Sequence, residues 1–243
     1  MQQTVIIKSR FKGPPESGNG GYTCGLLASL FKGGAEASLR VPPPLDVELV
    51  LSRDGDTATL THGDILVGTA VSKSCDISVP PVPQPLVLGI NPVDAPDAPG
   101  AFRPFDTCFV CGEARKQGDG LCIHSKQVEG HRGMVAASWK LFEGLAGADG
   151  IVDPVYIWSA LDCPGYFACA PGEAALLARL TAEVVAPLKA EGEATVIAWD
   201  LAAPGTEKGR KRRCGSAVYD VAGTLVAKAE GLWITVDPST LKA

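Results

Sequence analysis

The chain has 243 residues, nearly half of them apolar, with 20% charged residues and a formal charge of −5. That length supports one large core or two modest ones, and the acidic balance argues against a dedicated nucleic-acid binder. No run of eighteen apolar residues would span a bilayer. Met1-Gln2-Gln3-Thr4 does not read as a basic export leader, so the expected location is cytoplasmic. Eight cysteines are scattered, several inside apolar runs (Cys24, Cys163, Cys169). They read as reduced, packed side chains rather than as a disulfide framework.

In chain order, Thr4 to Arg10 reads as a strand. A glycine-rich turn, Gly13-Pro14-Pro15-Glu16-Ser17-Gly18-Asn19-Gly20-Gly21-Tyr22, then opens a helix that the paired glycines 33 and 34 should end. Asn19 suits the N-cap, and Tyr22, Leu26, Leu27, Leu30 and Phe31 make one apolar stripe at spacings of three and four. Strands follow at 36–41, 47–53, 56–61 and 65–73, with Asp54-Gly55 and Gly63-Asp64 as hairpin turns. From 78 to 104 prolines dominate, which marks an extended connector whose patch Leu86-Val87-Leu88 should lie along a surface. The second half repeats the plan. It has a strand at 134–139, a short helix after Trp158 to Asp162, and strands at 178–185, 195–201, 214–219 and 225–236.

Counting supports a duplication. Pro44-Leu45 and Pro187-Leu188 are 143 positions apart, and so are Asn19 and Asp162. Leu66-Val67-Gly68 and Leu225-Val226-Ala227 are 159 apart, which leaves 16 extra residues, assigned to the polar loop 204–213. The expected fold is α+β, two sheets each wrapped round a helix, with units at 1–79 and 108–243 joined by a proline-rich linker at 80–107.

The stretches Phe11 to Pro15 with Gly18 to Tyr22, Cys108-Phe109-Val110-Cys111-Gly112 with Gly118 to Leu121, and Ala160 to Gly165 carry a resemblance. On them the chain resembles the hotdog-fold acyl-CoA thioesterase-like superfamily in its tandem, double-hotdog form. The resemblance implies two hotdog domains, a coenzyme A thioester as substrate, no separate cofactor, and further pairing into a homo-oligomer. It also implies that amides at a central helix start polarise the thioester carbonyl while an acidic side chain acts as nucleophile or base. The residues that fit are Asp162 as the acid and Asn19 in the matching place of the other copy. Amides around Gly20, Gly21 and Tyr22, or around Gly165 and Tyr166, would be the donors. The plainer reading is that Asn19 and Asp162 are only N-caps. Glu16 is a spare carboxylate.

Two further features stay open. Lys208 to Arg213 is a dense positive run; Arg210 and Arg212 could meet coenzyme A phosphates, or the loop could be a solvated hairpin tip. Cys108 and Cys111 with Cys122 and His124 have the composition of a zinc site, though Cys-x-His is a tight spacing for the second pair. The alternative, reduced thiols packed at the junction, is the one expected. No nucleophile elbow or phosphate loop is present. Thioester hydrolysis is therefore the expected activity, with non-catalytic acyl-CoA binding as the alternative. A hydratase, which needs an Asp and His pair, ranks last.

Overall fold

A computed structural model describes residues 2–96, 102–203 and 209–241. The alternating and β-branched runs pair antiparallel into one eleven-stranded sheet. Its strands are β1 (Gln2–Ile6), β2 (Ala35–Leu39), β3 (Glu48–Asp54), β4 (Thr57–His62), β5 (Ile65–Ser72), β6 (Lys126–Gln127), β7 (Met134–Lys140), β8 (Ala175–Val184), β9 (Glu193–Asp200), β10 (Lys211–Tyr219) and β11 (Leu225–Thr235). The spatial order is β1-β3-β4-β5-β2-β8-β11-β10-β9-β7-β6. Read outward from the β2–β8 seam, both halves run alike: the strand after the helix is innermost and the strand before it lies at the far side. The hairpins β3–β4 and β4–β5 turn at Gly55 and Gly63, both at φ +54, the left-handed conformation their turns need.

The seam is antiparallel, and it pairs Ala37 with Leu180. These two residues are separated by the same 143 positions as Asn19 and Asp162. Residues that correspond under a duplication face each other only where an approximate two-fold axis passes. The strand pairing thus supports the offset counted in the sequence.

Three helices pack against the sheet: α1 (Gly20–Ala28), α2 (Pro154–Ala160) and α3 (Cys163–Cys169). α1 ends before Leu30 and Phe31, and it is buried nearly all round instead of along one stripe. The reason is its position, with the sheet on one side and α2 on the other. Leu27, Leu49, Leu51 and Leu60 are fully buried against one another's elements, each contributing about 1.5–3 kcal/mol. Gly21 and Gly25 set the helix spacing. A Cβ on Gly21 would come within 2.5 Å of Asp162 Cβ and 2.7 Å of Trp158 O; one on Gly25 would come within 3.0 Å of Trp158 Cβ. None of Gly13, Gly18, Gly20 or Gly21 has a positive φ, so this cluster serves close approach and not unusual backbone angles.

In the second half the helix begins earlier than the sequence reading placed it. Asp153 caps Val155 N at 2.9 Å and Pro154 occupies the first turn, a start signal present in the sequence. The helix then breaks at Leu161-Asp162. Pro164 has no N–H to offer Ala160 O, and Leu161 O accepts from Ser216 Oγ at 2.7 Å. The first strand is also shorter than expected. It stops at Ile6 because the chain turns through Ser9–Phe11 to stack Phe11 on Tyr22, with ring centroids 4.1 Å apart.

The connector has a path of its own. Leu86 packs on the outer face of the sheet beside Val128 and Ile197, and backbone bonds tie Val87 and Gly89 to the β6 segment. The apolar patch therefore lies along a surface as expected. Residues 97–101 of the connector, and 204–208 of the presumed insertion, lie outside the described residues.

Gly21→Ala should lower stability by about 1–3 kcal/mol in chemical denaturation, because neither the Trp158 carbonyl nor the Asp162 backbone can give way. Gly209→Ala, with nothing within 4 Å of its Cβ position, should be near neutral in the same measurement.

Candidate active site

The loop from Phe11 to Asn19 is closed by its own backbone: Asn19 N donates to Phe11 O at 2.8 Å and Gly13 N to Ser17 O at 2.9 Å. It presents Asn19 as the N-cap of α1, where Asn19 Oδ1 accepts from Tyr22 N at 2.9 Å. The other half of the side chain does something a cap does not require. Asn19 Nδ2 donates to Asp162 Oδ2 at 3.0 Å, across 143 positions of sequence.

Asp162 is no cap for its own helix, since its side chain makes no hydrogen bond at the start of α3. Its Oδ2 instead accepts from Gly21 N at 2.8 Å, so the carboxylate caps the helix of the other half. Both side chains are only 2% exposed. Asp162 Oδ1 is buried and has no partner among the described residues. Burial pushes the Asp162 carboxyl up to about 7, the Cys108 sulfur adds to the rise, and the bonds from Gly21 and Asn19 offset part of it.

A cavity of about 240 Å³ opens at this pair. Asn19, Gly20, Asp162 and Cys163 are among its lining residues. Leu39, Phe102, Leu176, Leu177, Trp233 and Ile234 are among its apolar walls, drawn from both halves of the chain. Arg40 stands on the wall, exposed, with no side-chain partner among the described residues.

The amides expected as carbonyl donors fare unequally. Gly21 N is taken by Asp162, Tyr22 N by Asn19, and Gly165 N by the backbone of Asp162 at 2.9 Å. Gly20 N, at the cavity wall, has no hydrogen bond among the described residues. Tyr166 lines the cavity but sends its hydroxyl to Glu173 O, and Gly165 packs so closely on Cys214 that a Cβ would lie 2.5 Å from Sγ.

The remaining candidates are engaged elsewhere or lie apart. Arg212 is buried and forked onto the Glu173 carboxylate, its Nε 2.9 Å from Oε1, so it is not free for phosphates; Arg210 is exposed and off the cavity wall, its Nε donating to Thr235 O. Lys208 lies outside the described residues. Glu16 is exposed and also off the wall. Cys122 and His124 do not join Cys108 and Cys111. The Cys122 sulfur points to the carbonyls of Arg115 and Gly120, and His124 is exposed. The third sulfur is that of Cys163, 3.7 Å from Cys108. The Cys111 and Cys163 thiols, followed by the amides of Cys111 and Val110, hold the Cys108 thiol well below its ordinary range.

An antiparallel sheet curled round a buried helix, with a pocket at the helix start, is the hotdog fold. Comparison with solved structures agrees over the whole length. The TesB protein of Mycobacterium avium subsp. paratuberculosis superposes with a TM-score of 0.61 at 12% identity, covering 97% of this chain and 93% of its own. Acyl-CoA thioesterase II TesB2 of Mycobacterium marinum gives 0.61 at 11%, covering 98% and 94%. A protein of unknown function with hotdog fold from Alicyclobacillus acidocaldarius gives 0.58 at 12%, covering 98% and 94%. No protein-family model and no curated protein matches the sequence. At these identities the likeness establishes the fold, and the expected hotdog resemblance holds at that level. Among the described residues no helix is long and apolar enough to cross a membrane.

Asn19→Ala removes an N-cap and leaves a buried carboxylate one donor short. It should cost about 1–3 kcal/mol in denaturation midpoint analysis. Asn19→Asp should cost more than the alanine change, because it sets two carboxyl groups about 3 Å apart in a dry site.

Proposed function

We propose that the protein is two hotdog units in one chain and that it hydrolyses a thioester of coenzyme A or a related carrier in the cavity between them. The observation that carries the reading is the Asp162 carboxylate seated at the N-terminus of α1 on the cavity wall, with one oxygen held by Gly21 N and Asn19 and the other buried and without a partner among the described residues. One oxygen fixes the group in place while the other remains available to accept a proton. The apolar walls suit an acyl chain.

In hydrolysis the water oxygen forms a bond to the thioester carbon as Asp162 Oδ1 takes its proton, and the carbonyl oxygen becomes an oxyanion. Gly20 N, at the positive end of α1, is the donor placed to stabilise that charge. When the tetrahedral species collapses, the carbon–sulfur bond breaks and the thiolate leaves, taking back the proton from Asp162. Arg40 takes the role first assigned to Arg210 and Arg212: an exposed cation at the cavity for the phosphates of the carrier.

The second reading, binding without turnover, leaves Asp162 structural. A hydratase is not favoured, since all three histidines are exposed and none lines the cavity. A cytoplasmic setting, in which coenzyme A thioesters occur, and further assembly into a homo-oligomer belong to this proposal.

The test is free-thiol release from a panel of acyl-CoA substrates. Asp162→Asn should lower kcat by about 10²–10⁴-fold while thermal stability changes little, because Asn keeps an acceptor for Gly21 N. Full turnover in that variant, or saturable binding without turnover by the wild type across the panel, would overturn hydrolysis by Asp162. Arg40→Ala should raise KM for acyl-CoA and leave kcat alone; with an acyl-pantetheine, which lacks the nucleotide phosphates, the two proteins should behave alike.

A further inference from the structure

Three of the eight cysteines converge although they come from distant parts of the chain. Cys108 and Cys111 sit on a tight loop and Cys163 is the first residue of α3; their three sulfurs lie within 4.8 Å of one another. Packing of neutral thiols explains burial but does not require this convergence. The loop is shaped for it. Cys108 N donates to Phe105 O, Gly112 N returns to Cys108 O, and a Cβ on Gly112 would sit 2.2 Å from Asp106 O and 2.6 Å from Cys108 O. Only glycine permits the loop to close so tightly.

The surroundings add a second observation. Asn19 Nδ2 lies 3.8 Å from the Cys163 sulfur and 4.0 Å from that of Cys108, so a donor is turned to the cluster. Asp162 Oδ1, on the residue preceding Cys163, is buried and unpartnered among the described residues. A buried carboxylate oxygen without a partner calls for a hydrogen-bond donor, and a water held at the neighbouring sulfurs would supply one. All three cysteines and Asp162 line the cavity, so one side of the cluster can be reached from it.

We propose that Cys108, Cys111 and Cys163 bind one zinc ion as thiolates, with the fourth position facing the cavity and filled by a water that hydrogen-bonds Asp162 Oδ1. Three protein ligands and an open fourth position is an arrangement zinc accepts, and sulfur ligands select it over magnesium or calcium. On binding, whichever of the three cysteines still carry an S–H proton release it to solvent, and three metal–sulfur bonds form; no oxidant or reductant is consumed. The ligand set differs from the one suggested by spacing alone, because Cys163 replaces Cys122 and the imidazole of His124 takes no part. The site rests on its own geometry and not on thioester hydrolysis.

Elemental analysis of the purified full-length protein, and titration of chelator-stripped protein with zinc against a chromophoric chelator, test it without any acyl substrate. The expected result is one zinc per chain. Cobalt in its place should give a sulfur-to-cobalt charge-transfer band. Cys108→Ser, Cys111→Ser and Cys163→Ser should each weaken binding by more than about 100-fold, beyond what losing an outer-shell partner does. Cys122→Ser and His124→Ala should bind as the wild type does. Because a ligand variant can fail to fold, the wild-type protein supplies a second readout: zinc should protect three thiols from alkylation, identified by peptide mapping as Cys108, Cys111 and Cys163. No zinc taken up, a different metal in the site, protection of other cysteines, or a disulfide within the cluster in the native protein would each overturn the proposal. Turnover of acyl-CoA with no metal bound would leave the hydrolase reading standing and remove this one.

Discussion

The contact on which the site depends is the hydrogen bond between Asn19 and Asp162, backed by Gly21 N. It brings a carboxylate from the second half of the chain to the positive end of a helix in the first. A buried carboxylate is costly unless it is hydrogen-bonded, and here one oxygen is fully engaged while the other has no partner among the described residues. Such a group holds its position yet keeps a free acceptor. Two of the four orphan amides of α1 are used to hold it, one directly and one through Asn19.

That contact also dictates the glycines around it. For the carboxylate to reach Gly21 N, the backbone of α1 must lie against the α2–α3 junction with no side chain between, and the Cβ distances at Gly21 and Gly25 show there is no room for one. The helix break at Leu161-Asp162 serves the same end. A continuous helix would place Asp162 on a regular turn, whereas Pro164 and the Ser216–Leu161 bond release the peptide and turn its side chain across to α1. The approach of the helices thus fixes the site, and the joined sheet, paired through β2 and β8, fixes the approach.

Much of this was legible in the sequence because it rests on local chemistry. Glycine turns marked the hairpins, proline the connector, and Asn19 the helix start, while one constant offset tied Asn19 to Asp162. What was not legible depends on which elements meet. The burial of α1 on all sides follows from α2 lying across it, and a stripe of apolar residues cannot announce a second neighbour. Nothing near Arg212 in sequence announces Glu173, 39 positions away, which holds it. Spacing along the chain sets Cys122 nearest to Cys108 and Cys111, whereas the fold brings Cys163 from 55 positions beyond Cys108. The start of α2 was different: Asp153-Pro154 is a local signal that could have been read.

On the two-unit reading, the contact also explains why one chain carries both units. A residue close to the two-fold axis of a homodimer faces its own copy. Two aspartates at about 3 Å cannot both ionise, and two asparagines satisfy each other but supply no base. Joining the units in a single polypeptide lets the two positions differ, so that an amide donates to a carboxylate across the axis. The same freedom extends to the sulfur cluster, because Cys163 follows Asp162 whereas Gly20 follows Asn19. One end of the axis can then become polar and reactive without its mirror image having to fit in the same space. On that reading the asymmetry of the site follows from covalent linkage, which makes a cavity with one buried acid among the described residues sterically and electrostatically possible.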